Sequence, residues 1–298
     1  MKQPAPAPQP PTDAEAAQMG PAELAAAYGL TKMGTRPPLG RYLVDTMHRG
    51  DFIVTMAAYR LRAMVAENRL GIVWYIIQPL LDAAIYGFIF GVVQGSSRPP
   101  DYIAYVLTGT IMFRFFQTSF SDGAGCMVNS RALIQSMAFP RLTLVLSHVF
   151  QNFLAFIPPV AILPILLIAL GHEVTIQWLL MLPLIAIFAV FCAGVSMIAA
   201  RITIHIRDFA QLVPVISRIL FFTSGVFYSI DTTFKGHPLV MRLYDFHPLY
   251  MIIRITRGLL MGVPYPGYYW EYLTVWSILI AIVGVVFFWV AEERYARE

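Results

Sequence analysis

Apolar residues fill six long stretches of this chain, and short polar segments separate them. A helix rises about 1.5 Å per residue, so roughly 20 apolar residues cross the ~30 Å hydrocarbon core of a bilayer. The six stretches are 70–93, 102–124, 142–170, 176–200, 209–230 and 272–291. The pattern predicts an all-α integral membrane protein with six transmembrane helices, the third of them bent or broken at its prolines.

Three segments depart from this pattern. Residues 1–40 are rich in Pro and Ala, which predicts a disordered cytoplasmic tail. Residues 41–69 carry two apolar arcs, which favours an amphipathic helix in the membrane interface, ahead of the six-helix transmembrane domain at 70–298. The run HPLYMIIRITRGLLMG, before the last stretch, is too short and too charged to span. It indicates a re-entrant helical hairpin, which must be buried in protein or line a cavity.

Composition and charge support a membrane protein and set its orientation. Hydrophobic residues make up 58% of the chain and charged residues 13%, which excludes an ordinary soluble domain. With the N-terminus inside, inner segments carry 14 Lys and Arg residues and outer segments carry five. The positive-inside rule then predicts that both termini are cytoplasmic. The net charge of +4 forms no basic patch, so no nucleic-acid partner is expected.

The sequence offers little that would support catalysis. It contains no G-x-x-x-x-G-K-[ST] phosphate loop and no Cys/His spacing typical of a metal site. The two cysteines, Cys126 and Cys192, imply no disulfide framework. A membrane glycosyltransferase is the alternative from another class, but it would need clustered acidic residues at a membrane face. These absences argue against an enzyme, and they give no reason to expect a cofactor bound by this chain.

Polar and aromatic residues form a stripe along the first stretch and another along the fifth. At about 100° per residue, Tyr75, Gln78, Asp82 and Tyr86 share one helix face. We expect Asp82 to pair with Arg218 of the fifth stretch, with Arg114 of the second as the competing partner. Alternatively, the buried polar contact only orients the helices. The predicted substrate path comprises Trp74, Tyr75, Gln78, Asp82, Tyr86, Phe113, Phe116, Arg218 and Phe222.

Four motifs in order carry a resemblance to a known family. They are RLGIVWYIIQPLLDAAIYGFIFG, SRALIQSMAFPRLTLVLS, RDFAQLVPVISRILFFTSGVFYS and FHPLYMIIRITRGLLMG. The chain resembles the permease subunit of type-2 ABC polysaccharide exporters over roughly residues 41–295. The lead-in GLTKMGTRPPLGRYLVDT is most similar to that of actinobacterial galactan exporters.

The resemblance implies a bacterial inner-membrane protein that acts as a homodimer with two ATP-binding subunits, which bind the ATP and Mg. The substrate would be a polyprenyl-linked polysaccharide, such as a galactan or an O-antigen-like glycan. A related permease that exports a drug or lipid is the alternative. A coupling helix at 130–139 is expected to contact the ATPase through Arg131, Leu133, Met137 and Phe139. The re-entrant stretch is expected to gate the outer end through Tyr250, Arg254 and Arg257.

Three arginines lie where a lipid head group would reach the inner leaflet. Guanidinium groups bind phosphate bidentately, so Arg60, Arg62 and Arg69 are predicted to contact the lipid pyrophosphate. Ordinary anchoring to anionic membrane lipids is the alternative for all three.

Overall fold

A computed structural model describes residues 19–20, 23–24, 27–28, 37–66, 69–95, 99, 101–136 and 139–292. Within these residues every regular element is helical. The α-helices are α1 (Leu39–Met47), α2 (Gly50–Ala66), α3 (Trp74–Gln94), α4 (Tyr102–Asn129), α5 (Arg131–Ser136), α6 (Leu142–Ala169), α7 (Met181–His205), α8 (Phe209–Thr223), α9 (Ile230–Thr233), α10 (Pro238–Tyr244), α11 (Pro248–Met261) and α12 (Tyr269–Val290). Short 3₁₀ helices at Gly71–Val73 and Ile176–Leu180 lead into α3 and α7. Most of the predicted tail at 1–40 lies outside the described residues.

Four helical stretches of the described chain are long and apolar enough to cross a membrane. They are Gly71–Val93, Leu142–Ala169, Ile176–His205 and Tyr269–Val290. Helix α4 has 28 residues, but Arg114, Asp122 and several hydroxyl residues interrupt its apolar run. Helix α8 has 15 residues, about 22 Å of helix. Four of the six predicted spans therefore have the length and composition of membrane helices, and the crossing of α4 and α8 stays a prediction.

Several predicted boundaries differ from the structure. The interfacial segment forms two helices, α1 and α2, which meet around His48 and Arg49. Helix α6 runs unbroken through Pro158, Pro159 and Pro164, so the expected break is absent from this helix. Helix α8 ends at Thr223, seven residues before the predicted end, because the chain turns at once through Gly225.

Helix α4 lies at the centre of the fold and contacts α3, α6, α7, α8 and α11. Most of its side chains are buried, and its phenylalanines contribute to one large apolar core. A second, smaller core lies at the end of the bundle that carries α5, and it includes residues of α1, α4, α6, α7 and α12. This arrangement leaves α3 and α8 on the flanks of α4, each with few buried positions.

Helices α7 and α12 approach each other closely through two glycines. A Cβ atom placed on Gly194 would lie 2.7 Å from the backbone nitrogen of Ala281. One placed on Gly284 would lie 2.6 Å from the carbonyl oxygen of Gly194. Since both neighbours are backbone atoms, neither can move without shifting a helix. Small residues at such positions let membrane helices pack through van der Waals contact.

We expect Gly284→Ala to lower the stability of the protein in detergent by about 1–3 kcal/mol, because the added methyl group overpacks the contact between α7 and α12. The midpoint of thermal unfolding measures this change. Gly87→Ala in α3 is the matched control, because a Cβ there meets nothing within 4 Å. A Gly284→Ala protein as stable as the Gly87→Ala protein would contradict the close packing.

Candidate functional site

A polar cluster joins α3 and α4 about halfway along both helices. One guanidinium nitrogen of Arg114 lies 3.4 Å from Oδ2 of Asp82, and the other donates to Oε1 of Gln78 at 2.6 Å. The side chains of Arg114 and Asp82 are each 37% exposed. Asp82 and Gln78 are four residues apart, so both point from the same face of α3 toward α4. The cluster satisfies a cation that would otherwise be costly at membrane depth.

The expected pair between Asp82 and Arg218 is wrong, because Asp82 pairs with Arg114 instead. Helix α3 packs along α4, which brings Arg114 within reach. Helix α8 approaches α3 through aromatic rings near the C-terminal ends of the two helices. The ring centroids of Tyr86 and Phe221 are 5.5 Å apart there. Equal depth along two helices does not make them neighbours.

A small cleft opens beside Arg114, with a volume of about 60 Å³. Its polar lining consists of Tyr75, Gln78, Arg114, Thr118 and Asn152. The space is large enough for several water molecules, since one water needs about 10–15 Å³ by this measure. Water in the cleft would hydrate the exposed part of the guanidinium group. Tyr75 and Gln78 line this cleft together, and their place on a substrate path stays a prediction.

Aromatic rings from α3, α4 and the chain after α8 form one continuous cluster. Phe90 stacks on Phe227 with their ring centroids 4.7 Å apart, and Tyr86 lies 5.0 Å from Phe227. Phe113 and Phe116, which were expected to line the path, are instead buried in the apolar core. Their rings pack inside the bundle, because the neighbouring helices enclose α4.

The outward face of α8 carries a charge that the described residues leave without an ion-pair partner. Arg218 is exposed in the middle of this apolar helix, and only Val213 and Ser217 of α8 are buried. Phe222, one turn further on, is also exposed, as is Trp74 at the start of α3. A charged side chain that faces lipid costs at least ~2.5 kcal/mol. This face therefore requires cover from protein or access to water.

The three arginines expected near the lipid head group differ in their surroundings. Arg60 donates to Oγ of Ser130 at 3.3 Å and to Oγ of Ser147 at 3.4 Å. Burial lowers the pKa of Arg60 below its ordinary value. Arg62 and Arg69 are exposed. Arg60 thus ties α2 to the bundle, whereas the other two remain accessible to an anionic group.

The segment expected to be a coupling helix forms α5, but part of its expected contact face is turned inward. Leu133 packs against the smaller core, and the ring of Phe139 lies 5.6 Å from that of Phe52 in α2. Arg131 and Gln135 are exposed. Met137 lies outside the described residues. Leu133 is therefore only partly exposed, because its apolar side chain packs against the smaller core, and its contact with the ATPase stays a prediction.

Helix α11 is anchored by one fully buried arginine. Arg257 donates to the carbonyl oxygen of Tyr105 at 3.0 Å, to that of Gly225 at 2.9 Å and to that of Val226 at 2.8 Å. Its guanidinium group also lies 3.3 Å from the ring centroid of Tyr105. Gly225 has a φ of 71°, a conformation that glycine adopts without strain. Arg257 is therefore an internal clamp in this conformation.

The other two expected gate residues are also held by the protein. Arg254 forms an ion pair with Asp231 of α9, and Tyr250 is buried against neighbouring rings. The partners of Arg257 could not be predicted from residue types, because every residue carries a backbone carbonyl group. Asp231 lies within the same connection as Arg254, but opposite charge alone did not identify it.

Comparison with known proteins places these features in a family context. The ABC-2 type transporter family model matches residues 52–261. The O-antigen export system permease protein RfbA of Klebsiella pneumoniae is 26% identical over 248 residues, which cover 83% of this chain and 94% of that protein. A permease of the same name from Myxococcus xanthus is 25% identical over 185 residues, covering 62% and 70% respectively. The polysialic acid transport protein KpsM of Escherichia coli is 19% identical over 240 residues, covering 78% and 90%.

We expect the substitutions Asp82→Asn and Arg114→Gln to show a coupling energy on the order of 1 kcal/mol in a double-mutant cycle, because each removes the partner of the other. Thermal unfolding in detergent measures the coupling. The matched cycle combines Asp82→Asn with Arg218→Gln, whose effects should add. Coupling of Asp82 to Arg218 together with additivity for Arg114 would contradict the observed pairing.

Proposed function

This chain belongs to the ABC-2 type transporter family, and from that premise we propose that it is the membrane subunit of an exporter for a lipid-linked polysaccharide. Members of the family are transport components that work with ATP-binding subunits rather than catalysts. The names of its relatives refer to export of O-antigen and transport of polysialic acid. The substrate class we propose is therefore a glycan that leaves the cell across the bacterial inner membrane.

The observation that carries this proposal is that α3 and α8 each leave polar or aromatic side chains uncovered. Trp74 of α3 and Arg218 and Phe222 of α8 are exposed, and Asp82 of α3 and Arg114 of α4 are partly exposed. A pyranose packs its C–H face on an aromatic ring, while its hydroxyl groups need polar partners. Two copies of the chain that face each other across these helices would enclose a path of this kind. The proposal therefore includes a homodimer.

The proposed topology has six spans with both termini in the cytoplasm. The four apolar stretches supply four of these spans, and α4 and α8 supply the other two. The excess of Lys and Arg in the segments assigned to the inside supports this orientation. Helices α10 and α11 then form the re-entrant hairpin at the outer end. Because Arg257 fixes α11 to α4, opening there would require α11 to move together with its carbonyl partners.

The ATP-binding subunit is proposed to dock on α5. The exposed residues of α5 are Arg131, Ala132, Gln135 and Ser136. The partner would bind the ATP and Mg and drive transport, since this family supplies the membrane component. Docking would then act on a helix whose opposite face is packed into the bundle through Leu133.

The lipid carrier of the glycan is proposed to be a polyprenyl pyrophosphate. Arg62 and Arg69 are the exposed cations that support a contact with its phosphates. The glycan itself is proposed to be a galactan, because the N-terminal lead-in resembles that of actinobacterial galactan exporters. The rival substrate is a drug or a free lipid, for which a wholly apolar path would be expected. The cluster of Gln78, Asp82 and Arg114 favours the glycan.

We expect proteoliposomes that contain this chain and its ATP-binding partner to move polyprenyl-linked glycan across the membrane only when ATP is supplied, because transport requires both subunits. The glycan delivered to the opposite side is quantified, together with the ATP hydrolysed. Vesicles lacking the partner subunit are the control. Hydrolysis stimulated by hydrophobic compounds, with no glycan delivered, would support the rival instead.

We expect the double substitution Arg131→Glu and Gln135→Glu to reduce recovery of the ATP-binding subunit at least tenfold when the complex is purified through this chain. The two changes place negative charge on the exposed face of α5 without touching its packed face. Lys235→Glu, an exposed charge reversal on the side assigned to the exterior, is the matched control. Unchanged recovery with the α5 variant would show that the partner docks elsewhere.

A further inference from the structure

Helix α6 begins without a side-chain cap from its own neighbourhood. Its first backbone N–H groups have no partner within the helix, as in every α-helix. The N–H of Arg141 instead donates to Oε1 of Glu292 at 3.3 Å. The N–H of Leu142 donates to the hydroxyl oxygen of Tyr42 at 3.2 Å. The caps therefore come from α1 and from the chain just after α12, segments distant in sequence.

The same groups also bind one another. The hydroxyl of Tyr42 donates to Oε2 of Glu292 at 2.8 Å. A guanidinium nitrogen of Arg141 donates to Oε1 of Glu292 at 3.3 Å and to its backbone oxygen at 3.0 Å. We name the side chains of Tyr42, Arg141 and Glu292 the Glu292 clasp. It joins α1, the start of α6 and the end of α12 at a single point.

The clasp is shielded from solvent, so its bonds are costly to break. Tyr42 is 1% exposed and Glu292 is 7% exposed. A carboxylate near a helix N-terminus also gains from the helix dipole. If one partner is lost, buried donors or a buried carboxylate remain unsatisfied. The indole of Trp289 adds a further bond, donating to the backbone oxygen of Pro37 at 2.8 Å.

The clasp residue Arg141 follows the end of α5 by five positions, and α5 is also held at its other end. Arg60 of α2 donates to Ser130, the residue before α5. After α5, Phe139 packs on Phe52, and the clasp residue Arg141 follows two positions later. A displacement of α5 as a rigid unit would therefore strain its contacts with α2 at one end. At the other end it would strain the bonds that join α6 to the end of α12.

We propose that Tyr42 and Glu292 are positioning residues for energy coupling, which pass the movement of α5 to the starting turn of α6 and to the end of α12. This inference rests on the proposed function only in that α5 receives the ATP-binding subunit. Helix α6 contacts α4, and α12 contacts α7. The clasp thus connects the docking helix α5 to two pairs of packed helices, α6 with α4 and α12 with α7. A purely structural cap would instead stabilise the fold without changing how much glycan moves per ATP.

The test compares Tyr42→Phe and Glu292→Gln with the wild-type chain, each reconstituted with the ATP-binding subunit. We expect ATP hydrolysis to stay within about twofold of wild type, while the glycan delivered per ATP falls at least fivefold. Thr46→Val is the matched control, because its hydroxyl is buried in the same helix α1 and donates to the backbone oxygen of Tyr42 within that helix. Its ratio of glycan to ATP should equal the wild-type ratio.

A second measurement needs no transport and remains informative if Glu292→Gln fails to fold. Spin labels on Gln135→Cys in α5 and Val286→Cys in α12 report the distance between these helices, since both positions are exposed. We expect a narrow distance distribution with the native clasp and at least a twofold broader one after Tyr42→Phe. An unchanged distribution and an unchanged glycan-per-ATP ratio would overturn the inference. Failure of the wild-type complex to move any glycan would instead overturn the proposed function.

Discussion

The absence of water from a bilayer is the constraint on which this structure depends. Each charged group inside the apolar helices must find its partner within the protein, because lipid offers none. Arg114 finds a carboxylate and an amide on α3, and Arg257 finds three backbone carbonyl groups. Arg218 has no such partner among the described residues. Arg114 thus ties α3 to α4 and Arg257 ties α11 to α4, whereas Arg218 marks a face that requires a neighbour or water.

Two separate sets of buried hydrogen bonds anchor the two ends of the bundle. Arg257 locks α11 onto α4 and onto the turn that follows α8. Around Glu292, a separate set of bonds locks α6 to α1 and α12. Between these anchors, α3 and α8 bury few residues and rest on α4 from its flanks. The helices proposed to enclose the substrate are thus the ones that the rest of the protein constrains least.

The sequence predicted the long helices and the location of α5 because both depend on local patterns. Apolar periodicity defines a span, and Pro140 ends the pattern of the short helix before it. The pairing of Asp82 could not be predicted in the same way, since depth along a helix does not reveal which helix lies beside it. Leu133 was assigned to the surface because a short helix shows no reliable difference between its two faces. The caps of α6 come from residues far along the chain, which no local signal could disclose.

The remote capping of α6 has a consequence for the order of biosynthesis. Glu292 follows Arg141 by 151 positions, and α7 to α12 lie between them. While the ribosome makes those helices, the first turn of α6 lacks its carboxylate, and only after α12 is complete can the three segments close. Domains fold as their residues emerge, so a contact of such long range forms late. The segment around α5 would consequently reach its final packing only after α12 has been made.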